Sequence, residues 1–372
     1  MASRMRFSAV LLLLALAPLS AKAATEDDYL ALNKSVIYGH ILPRMAAFAE
    51  AAKGLTPAAE KACTTRQASD VKALQGAFVT AMDGWEGMQH VRFGPIEFFS
   101  RGSRIFFWPD PRNSVGRQLA DLLAKGTPET ITEASVAKES VAVQGFPALE
   151  RLLYDEGAAA KLATKTAEAD KACAAVRAIA ANITTMANDM NKEWAEGDDA
   201  YALDLLKAGP EHVRFMRHRE VTLELFKSLY NAVELVSDHK LAQPLGASVK
   251  TAKPKLGESW RSARSLANIR ANLAAAQGLY AGEKGEAESP SAFLRDIANE
   301  GELDALLTRA FAQTLATAQG ISSTLEAGVA DAEVRPQLDK LAREAKALKT
   351  LLAQRLAPAL GVPVGFNALD GD

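Results

Sequence analysis

Residues 145–150, GFPALE, have the spacing of a metal-binding motif from which one ligand is missing. In a Gly-x-His-x-x-Glu run at the start of a helix, the imidazole and the carboxylate lie three residues apart on one helical face and can bind one metal ion. Here Pro147 stands at the histidine position, and proline has neither a lone pair for a metal nor an N–H to donate. Gly145 and Glu150 remain as candidate site residues.

Glu150 has two interpretations. If Pro147 is the first residue of a helix, its missing N–H costs nothing, and a carboxylate in the first helical turn is favoured by the helix dipole. Glu150 is then a structural residue. Alternatively, Glu150 is a hydrogen-bond acceptor or a ligand for a hard metal ion, assisted by Asp110 or His40.

His40 is a candidate ligand because Pro43 follows it three residues later. The proline is expected to kink the helix and to free backbone carbonyls near residue 39, which would let His40 face a pocket. A partly buried, hydrogen-bonded histidine is the alternative. His90 has Arg92 beside it, a neighbour that disfavours a bound cation. No zinc-protease histidine motif occurs in the sequence.

Residues 91–112 form an irregular segment that is rich in aromatic and basic side chains. A loop of this length is usually functional or disordered, and its aromatic content argues against disorder. We expect it to cover the start of the helix at Gly145 and to wall a pocket at the junction of two halves of the chain. The residues expected to line the pocket are Trp85, Arg92, Phe107, Trp108 and Ser262. The alternative is a small satellite core with the arginines paired to carboxylates.

Ser259, Ser262 and Ser265 recur every three residues beside Arg261 and Arg264. One helical face would thus present hydroxyl and guanidinium groups to an anion or a carboxylate-bearing ligand. A solvated, salt-bridged helix surface is the alternative.

Several separated motifs, in this order, are similar to the imelysin family of predominantly helical bacterial envelope proteins. They are HILP at 40–43, WEGMQHVRFGP at 85–95, FWPD at 107–110, GFPALERLLY at 145–154, GESWRSARS at 257–265 and GFNALDGD at 365–372. The resemblance spans most of the chain after residue 24. It implies a two-domain helical plan and places Gly145 and Glu150 in the family's proposed metal-site motif, without the motif histidine.

The resemblance also implies a function, because some family members are described as iron-regulated or as parts of iron uptake. We expect an exported, non-catalytic binding protein linked to metal acquisition, with iron or another divalent metal as the candidate ligand. A metallopeptidase is an alternative, although catalytic zinc generally needs three protein ligands and Pro147 replaces one of them. A second alternative is an envelope adaptor whose pocket binds a peptide or protein partner.

The N-terminus predicts export to the periplasm. Arg4 and Arg6 precede an apolar stretch from Ala9 to Leu19, and residues 21–23, AKA, form a small-x-small cleavage site. The stretch is shorter than the roughly 20 apolar residues of a membrane span, so the mature chain is expected to lack one. Removal of residues 1–23 takes away three basic residues and changes the formal charge from −2 to −5. A mildly acidic chain argues against nucleic acid as a partner.

Cys63 and Cys173 are the only cysteines. Outside the cytoplasm an isolated pair is by default a disulfide, and two buried free thiols in separate helices are the alternative.

Pervasive helical periodicity predicts an all-α fold with two bundle-like domains, residues 24–209 and 210–372, joined near Gly209 and Pro210. The long helical stretches are predicted at 26–53, 66–92, 136–158, 161–196, 211–242, 254–282, 290–320 and 330–357.

Overall fold

The computed structural model describes residues 23–283 and 288–362. Every regular element in these two ranges is a helix, which confirms the predicted all-α class. None of these helices is both long and apolar enough to cross a membrane. Residues 1–22 of the expected signal peptide and the motif at 365–372 lie outside the described residues.

The first part of the chain contains eleven α-helices within residues 23–209. They are α1 Glu26–Val36, α2 Leu42–Lys53, α3 Leu55–Thr65, α4 Ala68–Met88, α5 Arg101–Ile105, α6 Ser114–Lys125, α7 Glu133–Val136, α8 Phe146–Tyr154, α9 Ala158–Leu162, α10 Ala167–Ala195 and α11 Tyr201–Leu206. Short 3₁₀ turns lie at Gly94–Ile96, Phe98–Ser100 and Val141–Val143.

The second part contains eight α-helices within the described residues. They are α12 His218–Glu234, α13 Ala242–Leu245, α14 Ser265–Ala281, α15 Pro290–Asp296, α16 Gly301–Gly320, α17 Leu325–Gly328, α18 Arg335–Leu351 and α19 Ala357–Ala359. Two 3₁₀ turns lie at Val249–Thr251 and Pro254–Leu256, and π-helical turns at Leu235–Leu241 and Leu352–Leu356 continue α12 and α18.

The disturbance predicted near residue 39 is a π-helical turn, Ile37–Ile41, that joins α1 to α2 without a break. Pro43 cannot donate a hydrogen bond to the carbonyl of residue 39, and the N–H of Leu42 bonds instead to the carbonyl of Ile37, five residues back. At its other end, α1 begins in a capping box in which Thr25 and Asp28 bond each other's backbone N–H groups.

Several predicted helical stretches are shorter than the periodicity suggested or are interrupted: 211–242 is helical only from His218, and 161–196 and 290–320 are each divided into two helices. The stretch 136–158 contains a full helix only from Phe146, because Ser140 caps a 3₁₀ turn and Gly145 adopts an extended conformation. The stretch 254–282 becomes helical only at Ser265, and residues 257–264 form a series of turns in which Ser259 and Ala263 have positive φ. The serine-rich segment is therefore not one face of a helix.

One hydrophobic cluster extends across both parts of the chain. It runs from Tyr29 and Leu32 in α1 through α4 and α10 to Leu229 in α12 and Leu348 in α18. A smaller second cluster lies within the second part, among residues such as Leu273 and Leu341. The division near residues 209 and 210 stays a prediction, since shared apolar packing connects the two sides of it.

The structure joins Cys63 of α3 to Cys173 of α10 in a disulfide, with Cα atoms 5.5 Å apart. Both side chains are buried. The bond closes a sequence separation of 110 residues within the first part of the chain.

Candidate ligand-binding cavity

A cavity of about 500 Å³ lies beside Glu150, between the two parts of the chain. Three segments form it: residues 106–115, the start of α8, and residues 255–261. The lining residues are Phe106, Phe107, Trp108, Pro109, Asp110, Pro111, Asn113, Val115, Pro147, Glu150, Arg151, Gln243, Lys255, Leu256, Gly257, Ser259, Trp260 and Arg261. The structure thus places Glu150, Asp110, Phe107 and Trp108 around one space.

Glu150 lies on the buried face of α8 and is only 4% exposed. Its Oε1 atom accepts hydrogen bonds from Ser262, 2.9 Å from the backbone nitrogen and 2.6 Å from the hydroxyl. Its Oε2 atom accepts none from the described residues, so this oxygen remains for a ligand. Burial raises the pKa of Glu150, and this effect outweighs the lowering by the Ser262 hydrogen bonds and the charge of Arg261.

Gly145 and Pro147 position the start of α8, and Pro147 also lines the cavity. Gly145 is the N-cap residue, and a Cβ atom there would overlap the backbone carbonyl oxygens of Arg104 and Ile105. Only glycine permits this close approach of the aromatic segment to the start of α8. Pro147 is the second residue of the helix, where its missing N–H breaks no helical hydrogen bond.

Asp110 lines the cavity, but its carboxylate is already bonded to the start of α6. Oδ1 accepts from the backbone nitrogen of Ser114 at 2.7 Å, and Oδ2 accepts from that of Val115 at 2.9 Å. Both oxygens satisfy backbone donors that the first helical turn would otherwise leave without partners. Asp110 therefore fixes the fold of the wall.

The aromatic segment 91–112 both packs as a small core and walls the cavity. Phe106, which lines the cavity, stacks on Trp85 with ring centroids 6.2 Å apart. Trp85 itself is buried behind Phe106 and does not line the cavity. Arg101 is buried and pairs with Glu193 of α10 through two hydrogen bonds. Arg92 is exposed and lies outside the cavity lining.

Three cationic side chains line the cavity. The Arg261 guanidinium stacks on the ring of Trp260 at 4.3 Å, and its Nε donates to Asp155 Oδ1 at 2.5 Å. The Lys255 ammonium lies 5.3 Å from the same ring. Arg151 hydrogen-bonds to Asn113 and also pairs with Asp155. Positively charged side chains and the buried carboxylate of Glu150 thus line the same cavity.

The structure does not bring His40 to this cavity. Its Nε2 lies 2.8 Å from His90 Nε2, and its Nδ1 lies 2.7 Å from Glu283 Oε1. Arg44 donates to the same Glu283 oxygen. Burial raises the pKa of Glu283, but the hydrogen bond from His40 and the charge of Arg44 outweigh this effect and lower that pKa to about 2. Burial, together with the neighbouring His40 and Arg44, holds the pKa of His90 well below its usual range.

A buried ion cluster fixes the wall that carries Ser262. Lys240 Nζ lies 2.6 Å from Glu86 Oε2, 2.5 Å from Glu258 Oε2 and 2.7 Å from Asn272 Oδ1. These four side chains are at most 2% exposed. Burial, followed by the charge of Glu258, raises the pKa of Glu86 to about 8. The cluster connects α4 to the turns at residues 257–264.

A metal ion does not fit the donors at Glu150. No group of three or more His, Cys, Asp or Glu side chains with suitable geometry occurs within residues 23–283 and 288–362. Asp110 caps a helix, His40 belongs to another cluster, and the arginines at the rim repel a cation. Pro147 and Glu150 of the motif therefore line a cavity that is large enough for a small organic molecule.

The sequence reasoning did not select Trp260, Lys255 or Arg151 as site residues, and it named Arg261 only as a guanidinium on a helical face that could meet an anion or a carboxylate. A signal for Trp260 was present, because it lies within the family-like motif at 257–265. The expectation of a continuous helix there hid the turn that presents Trp260 and Arg261 to the cavity.

Comparison with known proteins decides the family. The family model for imelysin matches residues 41–355, most of the chain. The chain belongs to the imelysin family. Its similarity to iron-regulated protein A of Synechococcus elongatus amounts to 23% identity over 248 residues, which is 66% of this chain and 62% of that relative. The match therefore spans less than two thirds of the relative's length.

Two solved structures share the fold of this imelysin-family chain. An imelysin-like protein from Psychrobacter arcticum 273-4 superposes with a TM-score of 0.71 at 23% identity, covering 92% of this chain and 98% of its own. A protein described as an iron-regulated protein A precursor from Parabacteroides distasonis gives 0.76 at 16% identity, covering 92% and 96%. These likenesses show the fold.

Proposed function

We propose that this imelysin-family protein is an exported, non-catalytic binding protein of the periplasm that serves iron acquisition and holds its ligand in the Glu150 cavity. The observation that carries the proposal is the buried carboxylate of Glu150, which lines a cavity between the two parts of the chain and keeps one oxygen without a partner among the described residues. Relatives named as iron-regulated proteins support the link to iron.

The same site gives no support to a metallopeptidase. Catalytic zinc needs three protein ligands and an open position, and the described residues bring no such set together. Pro147 occupies the place of the motif histidine and lines the cavity without a donor atom. We propose that the ligand is a small organic molecule and that Glu150 does not bind a bare iron ion or another divalent metal ion.

Growth under iron limitation tests the role. The gene is deleted in its native host and replaced by the wild-type gene or by a Glu150→Ala variant. We expect the deletion to slow growth under iron limitation, the wild type to restore it and Glu150→Ala to fail. Glu139→Ala is the matched control, because Glu139 is an exposed glutamate outside the cavity lining.

Two results would contradict the proposal. A deletion strain that grows normally without added iron would remove the link to iron. Full restoration by Glu150→Ala, with equal protein levels, would show that the cavity is not the working site. An envelope adaptor that uses another surface would then be the better account.

A further inference from the structure

We propose that the Glu150 cavity binds a zwitterionic organic ligand of the amino-acid type, whose ammonium group contacts Glu150 and whose carboxylate contacts Arg261. This inference rests on the proposed function only in using the same cavity. It names the chemistry of the ligand, which the family comparison does not.

The carboxylate of Glu150 favours a positively charged hydrogen-bond donor on the ligand. Glu150 is 4% exposed, and Ser262 satisfies only its Oε1 atom. No Lys, Arg or His among the described residues forms an ion pair with it. The Oε2 atom accepts no hydrogen bond from the described residues and can accept one from a ligand, and an ammonium group provides both the donor and the opposite charge.

Arg261, which lines the same cavity, favours a carboxylate group on the ligand. Arg261 is held on two sides, by Asp155 at its Nε atom and by the Trp260 ring beneath its guanidinium. Its two terminal nitrogens have no acceptor among the described residues. A guanidinium fixed in this way binds a carboxylate through two parallel hydrogen bonds, since its planar fork matches the spacing of the two oxygens. Lys255 adds a second positive charge beside the same ring.

The aromatic side chains of the lining favour an apolar group that branches from the carbon carrying both charges. Phe106, Phe107 and Trp108 line one side, and all three keep part of their surface accessible. The volume of about 500 Å³ falls within the usual range for small-molecule sites. An aromatic amino acid combines the two charges with such a group, whereas a bare cation would meet one carboxylate and several positive side chains.

Calorimetric titration of the mature chain with three related probes tests the assignment. L-Phenylalanine has both charges, phenethylamine has only the ammonium group, and 3-phenylpropionate has only the carboxylate. We expect L-phenylalanine to bind, and each one-charge probe to bind about tenfold or more weakly, because each loses a hydrogen bond between charged groups. The dipeptide Phe-Phe separates the two sources of this chemistry: tighter binding than L-phenylalanine indicates a peptide ligand, and weaker binding indicates a free amino acid.

Two variants identify the contacts. In Glu150→Gln, L-phenylalanine and 3-phenylpropionate should bind equally, and in Arg261→Gln, L-phenylalanine and phenethylamine should bind equally. Each variant should still bind one probe, which demonstrates that it is folded. Glu139→Gln should leave all affinities unchanged.

Equal affinity of the wild type for all three probes, or no binding of L-phenylalanine at millimolar concentration, would overturn the assignment. A normal pattern of probe binding without a growth defect under iron limitation would remove the iron role alone. A growth defect without probe binding would remove the ligand class alone.

Discussion

Of the motif residues, Gly145 and Glu150 are both present, and the structure shows what each one contacts. Gly145 lets the chain at Arg104 and Ile105 approach the start of α8, and this approach brings the aromatic wall to the carboxylate of Glu150. Ser262 then holds the carboxylate from the other part of the chain. The cavity depends on these three residues before any ligand arrives.

Replacing Gly145 with alanine should destabilise the protein by about 1–3 kcal/mol, because the new methyl group overlaps two backbone carbonyl oxygens that cannot rotate away. Urea unfolding measures the loss. Gly76→Ala is the control, since Gly76 lies in α4 with no atom near the added carbon. That variant should gain up to about 1 kcal/mol from helix propensity. Equal effects of the two substitutions would contradict the packing role of Gly145.

The pKa of Glu150 predicts a pH dependence. Because burial raises this pKa, the folded protein retains a proton that the unfolded chain releases at about its usual value of 4.5. The stabilisation is complete below that pH and is lost as the pH rises through the folded-state pKa. The free energy of unfolding of the wild type, relative to Glu150→Gln, should therefore fall as the pH rises from 4.5. Urea titrations of both proteins across this range measure the difference, and a constant difference would show that the carboxyl is not desolvated.

At the scale of elements, the disulfide is the covalent connection between α3 and α10. Its closed loop of 110 residues gives an expected stabilisation of about 4–5 kcal/mol in the chain-entropy model. Replacing both cysteines with alanine should lower the free energy of unfolding by about this amount. Reductant should reproduce the loss in the wild type and have no effect on the variant. A wild type whose urea midpoint is insensitive to reductant would argue against the bond.

The helices could be predicted from the sequence where burial is periodic, as at 26–53 and 335–351. They could not be predicted where tertiary contacts override local propensity. Residues 257–264 have no strong helix breaker after Gly257, yet Glu258 is drawn to Lys240 and Ser262 to Glu150, and the chain turns between them. The aromatic segment and Glu150 could be recognised as site residues from their types. Arg261 could be named as a possible contact for a carboxylate, but the orientation of Arg261 and Trp260 toward the cavity could not be predicted, because it depends on that turn.

His40 illustrates a second limit of the sequence. Pro43 correctly indicated a local irregularity, and the resulting π-helical turn contains a buried histidine. Its partner, His90, lies fifty residues away at the end of α4. No local spacing reports such a contact, since it depends on how α2 packs against α4.

At the scale of the molecule, Lys240 holds the two parts of the chain together. Its ammonium lies within ion-pair distance of both Glu86 of α4 and Glu258 of the cavity wall in the same buried cluster. Because the pKa of Glu86 is raised to about 8, Glu86 is mostly protonated at neutral pH, and Lys240 is the counter-charge of Glu258. Replacing Lys240 with methionine should destabilise the protein by about 3–5 kcal/mol, because Glu258 loses its counter-charge and Glu86 loses a hydrogen-bond partner. Urea unfolding of Lys240→Met measures the loss. Adding Glu258→Gln to that variant should recover part of it, because the substitution removes the buried charge left without a partner, and a double variant no more stable than the single one would contradict the pairing.

The buried lysine also constrains how the cavity can work. Glu258 and Ser262 are four residues apart in one short series of turns, so the wall that touches Glu150 is tied directly to the ammonium of Lys240. Moving this wall would leave charged groups without partners in the protein interior. The free-energy cost would exceed the few kcal/mol that separate the open and closed conformers of hinged binding proteins. We therefore expect a receptor of fixed shape. A partner protein that recognises the ligand-bound form must therefore contact the ligand itself at the cavity opening, because no closure of two domains would signal that the ligand is bound.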